Sequence, residues 1–275
     1  MTIISLQQAI EKLSTDNVVW IDTQFEFGKS AEAYKLYEQQ HIPGAVYFHL
    51  DEDMSGPILQ HGGRHPIPSI EEFTEKLRTA GISNDTEVIV YDQTGGATAA
   101  RMWWLLKYVG HEKAFMLEQP IQKWVEAGYP VTTEKVVPVR GTFTANVQHE
   151  LAVEMDDVLA NLSNETRLLI DARVEDVYTG ERATKYKKIG HIPGAKNVFW
   201  ERLLDEELRL TKVEKFQELA PNKSQEIVVY CGAGVTACAN ILALQHEGYE
   251  NVKLYVGSWG DWASYDDTPT EVIKE

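Results

Sequence analysis

EIVVYCGAGVTACANILALQHEGY (226–249) decides the fold, because an earlier stretch, EVIVYDQTGGATAARMWWLLKYVGH (87–111), follows the same plan. Each begins with an apolar run of strand length, bends through glycines and continues into a helical run. Tyr91 lies over Tyr230 at an offset of 139, and Asp92 stands where the later copy has Cys231. Two more segments recur outward from this pair. SLQQAIEKLSTDNVVWID (5–22) matches EMDDVLANLSNETRLLID (154–171) without a gap at an offset of 149. There Leu6, Ile10 and Leu13 fall on Met155, Leu159 and Leu162 at helical spacing, and Val19-Trp20-Ile21 falls on Leu168-Leu169-Ile170, a buried-strand run. HIPGA occurs at 41–45 and again at 191–195, an offset of 150, so the second copy is 150 − 139 = 11 residues shorter between its middle and late motifs.

Each copy therefore reads helix, strand, loop, HIPGA turn, helix, strand, short loop, helix and a last strand such as VKLYVG (252–257). Strands alternating with helices, with continuous apolar strands, predict an α/β fold: a mainly parallel sheet with helices on both faces. A chain of 275 residues has room for two such domains. The stretch PVTTEKVVPVRGTFTANVQHE (130–150) has prolines, threonines and no helical stripe. The expected division is a first domain at 1–132, an extended linker at 133–149 and a second domain at 150–275.

Composition narrows the function. A net charge of −16 and a pI near 4.9 repel phosphate backbones and anionic lipid heads, which excludes nucleic acid and membrane as partners. The same charge requires a locally positive site for any small anionic substrate. No apolar run approaches the roughly 18–20 residues of a membrane span. The opening MTIISLQQAIEKLSTDN lacks a basic region followed by an apolar core, so a cytoplasmic protein is expected. HIPGA reads as a turn in which proline fixes φ and glycine takes a left-handed conformation. Neither His41 nor His191 belongs to a metal-ligand spacing, so zinc is disfavoured and no metal is expected.

Two cysteines remain to be judged separately. Cys231 directly follows a buried strand and precedes a helix, the place where an open α/β sheet puts ligands. Gly232 and Gly234 let the backbone curl so that successive N–H groups face one point, to which the helix N-terminus adds partial positive charge. That setting favours a negatively charged, nucleophilic sulfur and stabilises the anion it becomes, a persulfide terminus included. The competing reading is a buried structural cysteine at a strand end. Cys238 lies two helical turns on, about 10.5 Å along the axis at 1.5 Å per residue. A disulfide needs Cα atoms within roughly 7 Å, so Cys238 is read as core.

CGAGVTA, preceded by a second-copy DAR (171–173) and HIPGA and followed by YVGSWGDW (255–262), resembles the tandem rhodanese-like sulfurtransferases, and the resemblance covers essentially the whole chain. It implies two tandem rhodanese-like domains, the first without a nucleophile. It also implies transfer of a sulfane sulfur from a small anionic donor, through a persulfide on Cys231, to cyanide, a small thiol or a thioredoxin-like acceptor, with no cofactor. Gly232, Ala233, Gly234, Val235, Thr236 and Ala237 would form the anion cradle. Loops of the thiosulfate type tend to read CRKGVTA and those of the mercaptopyruvate type CGSGVTA. The neutral loop here suits monoanionic 3-mercaptopyruvate, with thiosulfate the alternative donor. Two positions depart from the mercaptopyruvate pattern: the loop serine is Ala233, and the family's substrate-gripping arginine aligns with Val177. A carboxylate is best held by arginine's bidentate fork, so Arg182 in TGERATKYKK, then Arg173, are the expected replacements. For each, the bland reading is a solvated or structural arginine. His41 matches a family position that faces the site.

The first copy, with Asp92, is expected to be non-catalytic and to form one wall of a cleft. GGRHPIPS, containing Arg64 and His65, reads as a proline-rich surface loop that could line it. Two other functions compete on the residues. A Cys-dependent phosphatase needs an arginine six residues after its nucleophile, and that position is Ala237. A non-catalytic sulfur-carrier or binding module is disfavoured by the intact CxxGVTA loop.

Overall fold

The apolar runs that recur in the sequence become the central strands of two five-stranded parallel sheets. The computed structural model describes residues 2–211 and 213–273. They form two units: Met1–Gly56, Ile67–Gln148 and Glu206–Arg209 in unit 1, and Pro57–Pro66, His149–Asp205 and Leu210–Glu275 in unit 2.

In unit 1 the strands are β1 (Ile3–Ile4), β2 (Val18–Asp22), β3 (Val46–Tyr47), β4 (Glu87–Tyr91) and β5 (Ala114–Leu117), in the order β1-β5-β4-β2-β3. Helices α1 (Leu6–Glu11), α2 (Ala33–Gln39), α3 (Ile70–Thr79), α4 (Ala99–Tyr108) and α5 (Ile121–Glu126) connect and cover them. Val88, Ile89 and Val90 are fully buried, as strands covered on both faces require. Helix α4, AARMWWLLKY, is apolar nearly all round and is accordingly buried. Leu6, Ile10 and Leu13 turn one face toward a core containing Trp20, Ile89 and Trp124.

Unit 2 repeats this with β6 (Ala152–Val153), β7 (Arg167–Asp171), β8 (Lys196–Asn197), β9 (Glu226–Tyr230) and β10 (Val252–Tyr255), ordered β6-β10-β9-β7-β8. Its helices are α6 (Met155–Ala160), α7 (Glu175–Thr179), α8 (Glu214–Leu219), α9 (Ala237–His246) and α10 (Ser258–Trp262). The register places Asp171 opposite Tyr230, so β7 and β9 end together. The loops that carry Arg173 and Cys231 therefore leave the sheet side by side, at the carboxyl edge where such sheets bind ligands.

Both HIPGA segments are turns, as expected: Ala45 N–H donates to Ile42 O and Ala195 N–H to Ile192 O. Each turn is tied to the strand that ends at the cysteine or aspartate loop, since Ile42 N–H donates to the Tyr91 hydroxyl at 3.0 Å and Ile192 N–H to that of Tyr230 at 3.1 Å. The stretch expected as a linker contains no α-helix or strand, and as far as Gln148 it belongs to unit 1. Gly141 N–H donates to Arg78 O, Asn146 N–H donates to Val109 O, and Phe143 is fully buried. Two short segments, Pro57–Pro66 and Glu206–Arg209, lie on the other side of the boundaries expected from sequence. Gln119 and Lys123 of unit 1 hold the second of these through Glu207.

Candidate active site

Cys231 is 2% exposed and begins the β9–α9 loop. The segment 257–262 braces this loop from behind. Cys231 N–H donates to Ser258 Oγ at 3.1 Å, and Trp259 N–H donates to Cys231 O at 2.9 Å. Gly232 O accepts from Gly260 N–H at 3.0 Å and from the Tyr186 hydroxyl at 2.9 Å. Ser258 donates its own hydroxyl to Tyr255 O and holds φ at 55°, a left-handed conformation uncommon outside glycine. Gly234 takes φ +75°, and a Cβ there would lie 2.2 Å from Val256 O, so only glycine closes the loop.

Unit 1 displays what this loop shape does with an anion. Asp92 Oδ1 accepts N–H groups from Thr94, Gly95 and Gly96 at 2.8, 2.9 and 3.1 Å. Oδ2 accepts those of Thr98 and Ala99 at 2.9 and 3.0 Å, with the Thr98 hydroxyl at 3.3 Å. At the offset of 139 the same positions in unit 2 are Ala233, Gly234, Val235, Ala237 and Cys238. The left-handed glycine coincides as well, Gly95 with Gly234.

The neighbouring loop separates the two units electrostatically. Asp171 is fully buried and paired with Arg173, whose Nη2 lies 2.5 Å from Oδ2 and also donates to Gly190 O at 2.8 Å. The guanidinium sits 4.4 Å from the Trp259 ring centroid. Burial opposes its charge, but Asp171 outweighs burial and holds the Arg173 pKa above its ordinary value. Gln24 occupies the corresponding place in unit 1. Burial there pushes the Asp22 carboxyl from 3.8 up to about 6, against hydrogen bonds from the Gln24 backbone and side chain.

The site residues expected from sequence fall in different places. Gly232 to Thr236 form the loop, Ala237 opens α9, and Cys238 is fully buried in α9 as core. Arg173 is committed to Asp171. Arg182 is exposed and forms a fork with Asp176, Nε to Oδ2 at 2.7 Å and Nη2 to Oδ1 at 3.0 Å, a pairing that lowers the Asp176 pKa and raises that of Arg182. His41 packs within unit 1. It is fully buried, stacked on Tyr37 at 3.9 Å, with Nδ1 2.7 Å from Tyr37 O and Nε2 3.1 Å from Glu134 O. His191 makes the same stack on Tyr178, so the histidine of the motif packs the turn. Among the described residues, no group of three or more His, Cys, Asp or Glu is placed to hold a metal.

Sequence reasoning assigned no role to Tyr186 or Ser258. A signal existed for each: a single aromatic inside the polar TKYKK, and a serine between the glycines of GSWG. The Tyr186 phenol is raised in pKa by burial and then by the neighbouring Cys231, with Arg173 and Arg64 acting in the opposite direction.

The family model "Rhodanese-like domain" matches residues 5–127 and 154–265. The chain is 32% identical over 267 residues to a probable 3-mercaptopyruvate sulfurtransferase of Pseudomonas aeruginosa, covering 94% of each protein. It is 30% identical to a thiosulfate sulfurtransferase of Gallus gallus, covering 88% of this chain and 85% of that protein. Among solved structures it resembles SseA from Escherichia coli, described as a 3-mercaptopyruvate sulfotransferase, with a TM-score of 0.82, 30% identity and coverage of 94% and 99%. The chain belongs to the rhodanese-like family, in its tandem-domain form. These relatives are named sulfurtransferases, and the chain is an enzyme of that class.

Proposed function

We propose that this sulfurtransferase takes its sulfur from 3-mercaptopyruvate and carries it as a persulfide on Cys231. The observation that carries the reading is the anion cradle: the loop shape that closes five N–H groups on the Asp92 carboxylate begins, in unit 2, with a cysteine. A persulfide places its terminal sulfur two bonds from Cβ, as aspartate places its oxygens. The cradle thus favours the anionic product of the first half-reaction over the bare thiolate, and that difference drives transfer.

In the first step the Cys231 thiolate attacks the donor sulfur. The new S–S bond forms as the donor's C–S bond breaks, the electron pair goes to the methylene carbon, and that carbon takes up the proton leaving the donor thiol. The products are pyruvate and a deprotonated persulfide. In the second step a nucleophilic acceptor such as cyanide attacks the outer sulfur and leaves as thiocyanate, returning the thiolate. A thiol or thioredoxin-like protein would serve as acceptor by the same displacement. The chemistry needs no cofactor, and a reducing compartment such as the cytoplasm keeps Cys231 available.

The test is thiocyanate formation from 3-mercaptopyruvate and cyanide by the wild-type chain and by Cys231→Ala. The wild type turns over and the variant does not, and mass spectrometry of donor-treated wild type finds one added sulfur on the peptide carrying Cys231. Equal rates for both proteins would remove Cys231 from the mechanism. A higher kcat/KM for thiosulfate than for 3-mercaptopyruvate would reassign the donor.

A further inference from the structure

The segment Pro57–Pro66 belongs to the body of unit 2 and is fastened there at three points. Gly62 N–H donates to Asp261 Oδ1 at 2.7 Å, while Asp261 Oδ2 accepts the Tyr255 hydroxyl at 2.8 Å. His61 meets Ser264 Oγ at 2.7 Å and stacks on Tyr265 with ring centroids 4.0 Å apart. Gly63, at φ +78°, passes so close to Gly257 that a Cβ would lie 2.4 Å from its carbonyl oxygen. The residue that follows is Arg64.

Arg64 and Lys185 line a cavity of about 280 Å³ together with Tyr186, Gly260, Ile58 and Leu59. The cavity abuts the Cys231 loop, since Tyr186 and Gly260 both donate to Gly232 O. Elsewhere in unit 2, Arg167, Arg173, Arg182 and Arg202 meet carboxylates. Among the described residues, Arg64 and Lys185 meet none, although the chain carries sixteen more acidic than basic groups. Burial lowers the Lys185 pKa and the Arg64 charge lowers it further, a repulsion that an anion between them would relieve. Ile58 and Leu59, 68% and 70% exposed, add apolar surface, which suits a carbon-bearing anion better than an inorganic one.

We propose that Arg64 and Lys185 receive the carboxylate of the sulfur donor, with the fastened 57–66 segment fixing Arg64 beside the Cys231 loop. This rests on the reading of Cys231 as the sulfur carrier. It also explains how a neutral loop in an acidic chain captures an anion: the positive charge is supplied from outside the loop.

Alkylation of Cys231 reads the cavity without turnover. Iodoacetate and iodoacetamide form the same S–C bond and expel the same iodide, but only the first has a carboxylate. In the full chain the iodoacetate-to-iodoacetamide rate ratio falls about tenfold in the Arg64→Ala/Lys185→Ala double variant, through the iodoacetate rate alone. Arg202→Ala, which removes an exposed cation paired with Glu175, leaves the ratio unchanged. With 3-mercaptopyruvate and cyanide, each single variant raises KM about tenfold while kcat stays within about twofold. Gly63→Ala, which keeps the charge but cannot pass Gly257, raises KM as Arg64→Ala does. An unchanged alkylation ratio in the double variant overturns the proposal. A ratio that falls as expected in a wild-type background that makes no thiocyanate upholds the anion site and sinks the sulfur-transfer reading instead.

Discussion

Aspartates 22 and 171 occupy one position in the repeat and live in opposite circumstances. Asp171 faces Arg173, while Asp22 has no arginine beside it and is met by Gln24 and the Tyr91 hydroxyl, and burial lifts its carboxyl from 3.8 to about 6. Folding thus tightens proton binding at Asp22. Its contribution to stability is fully present below about pH 4 and is lost as pH rises through about 6, a change on the order of 3 kcal/mol from this one group. Asp22→Asn, with no charge to bury, should be more stable than the wild type near pH 7.5 and lose that advantage near pH 4, by the same linkage. Denaturant midpoints at the two pH values check this, and an advantage independent of pH would show that Asp22 is not the group responsible. The difference between the copies was written in the sequence as Arg173 against Gln24. Its consequence was not, because it depends on burial.

At the scale of elements, the catalytic loop contains two glycines with unequal duties. Gly234 is left-handed and pressed against Val256 O, whereas a Cβ on Gly232 would meet only the Tyr186 hydroxyl, at 3.8 Å. Gly234→Ala is therefore expected to lose most sulfurtransferase activity and at least about 1–2 kcal/mol of stability in unit 2. Gly232→Ala should keep its melting temperature and retain much more activity. Activity assays with thermal melts decide it, and equal damage from both substitutions would refute the distinction. Elements of this kind were the most legible part of the chain. The apolar runs around Ile89 and Val228, the HIPGA turns and the strand–cysteine–helix loop are local, so spacing and side-chain type define them. The partners of Arg182 and His41 were illegible for the opposite reason. The fork between Arg182 and Asp176 and the stacking of His41 on Tyr37 are choices of partner, made only when several elements pack.

The whole molecule is where sequence reading fell furthest short, because nothing in GGRHPIPS announces that its glycines will be held by Asp261 and Gly257. A fragment comprising residues 149–275 contains the nucleophile, its loop and Lys185, yet lacks Pro57–Pro66. Such a fragment should show little turnover of 3-mercaptopyruvate and should recover it when coexpressed with residues 1–148. Full activity of the fragment alone would mean that the segment is dispensable. The fastening of that segment bears on how such a chain is inherited. A repeat copy that carries aspartate where its sibling carries cysteine would ordinarily be free to decay. Here it cannot be discarded, since its half of the chain threads a strip of ten residues, 57–66, into the body of its sibling. Loss of the first copy would take that strip with it, and with the strip the proposed carboxylate site.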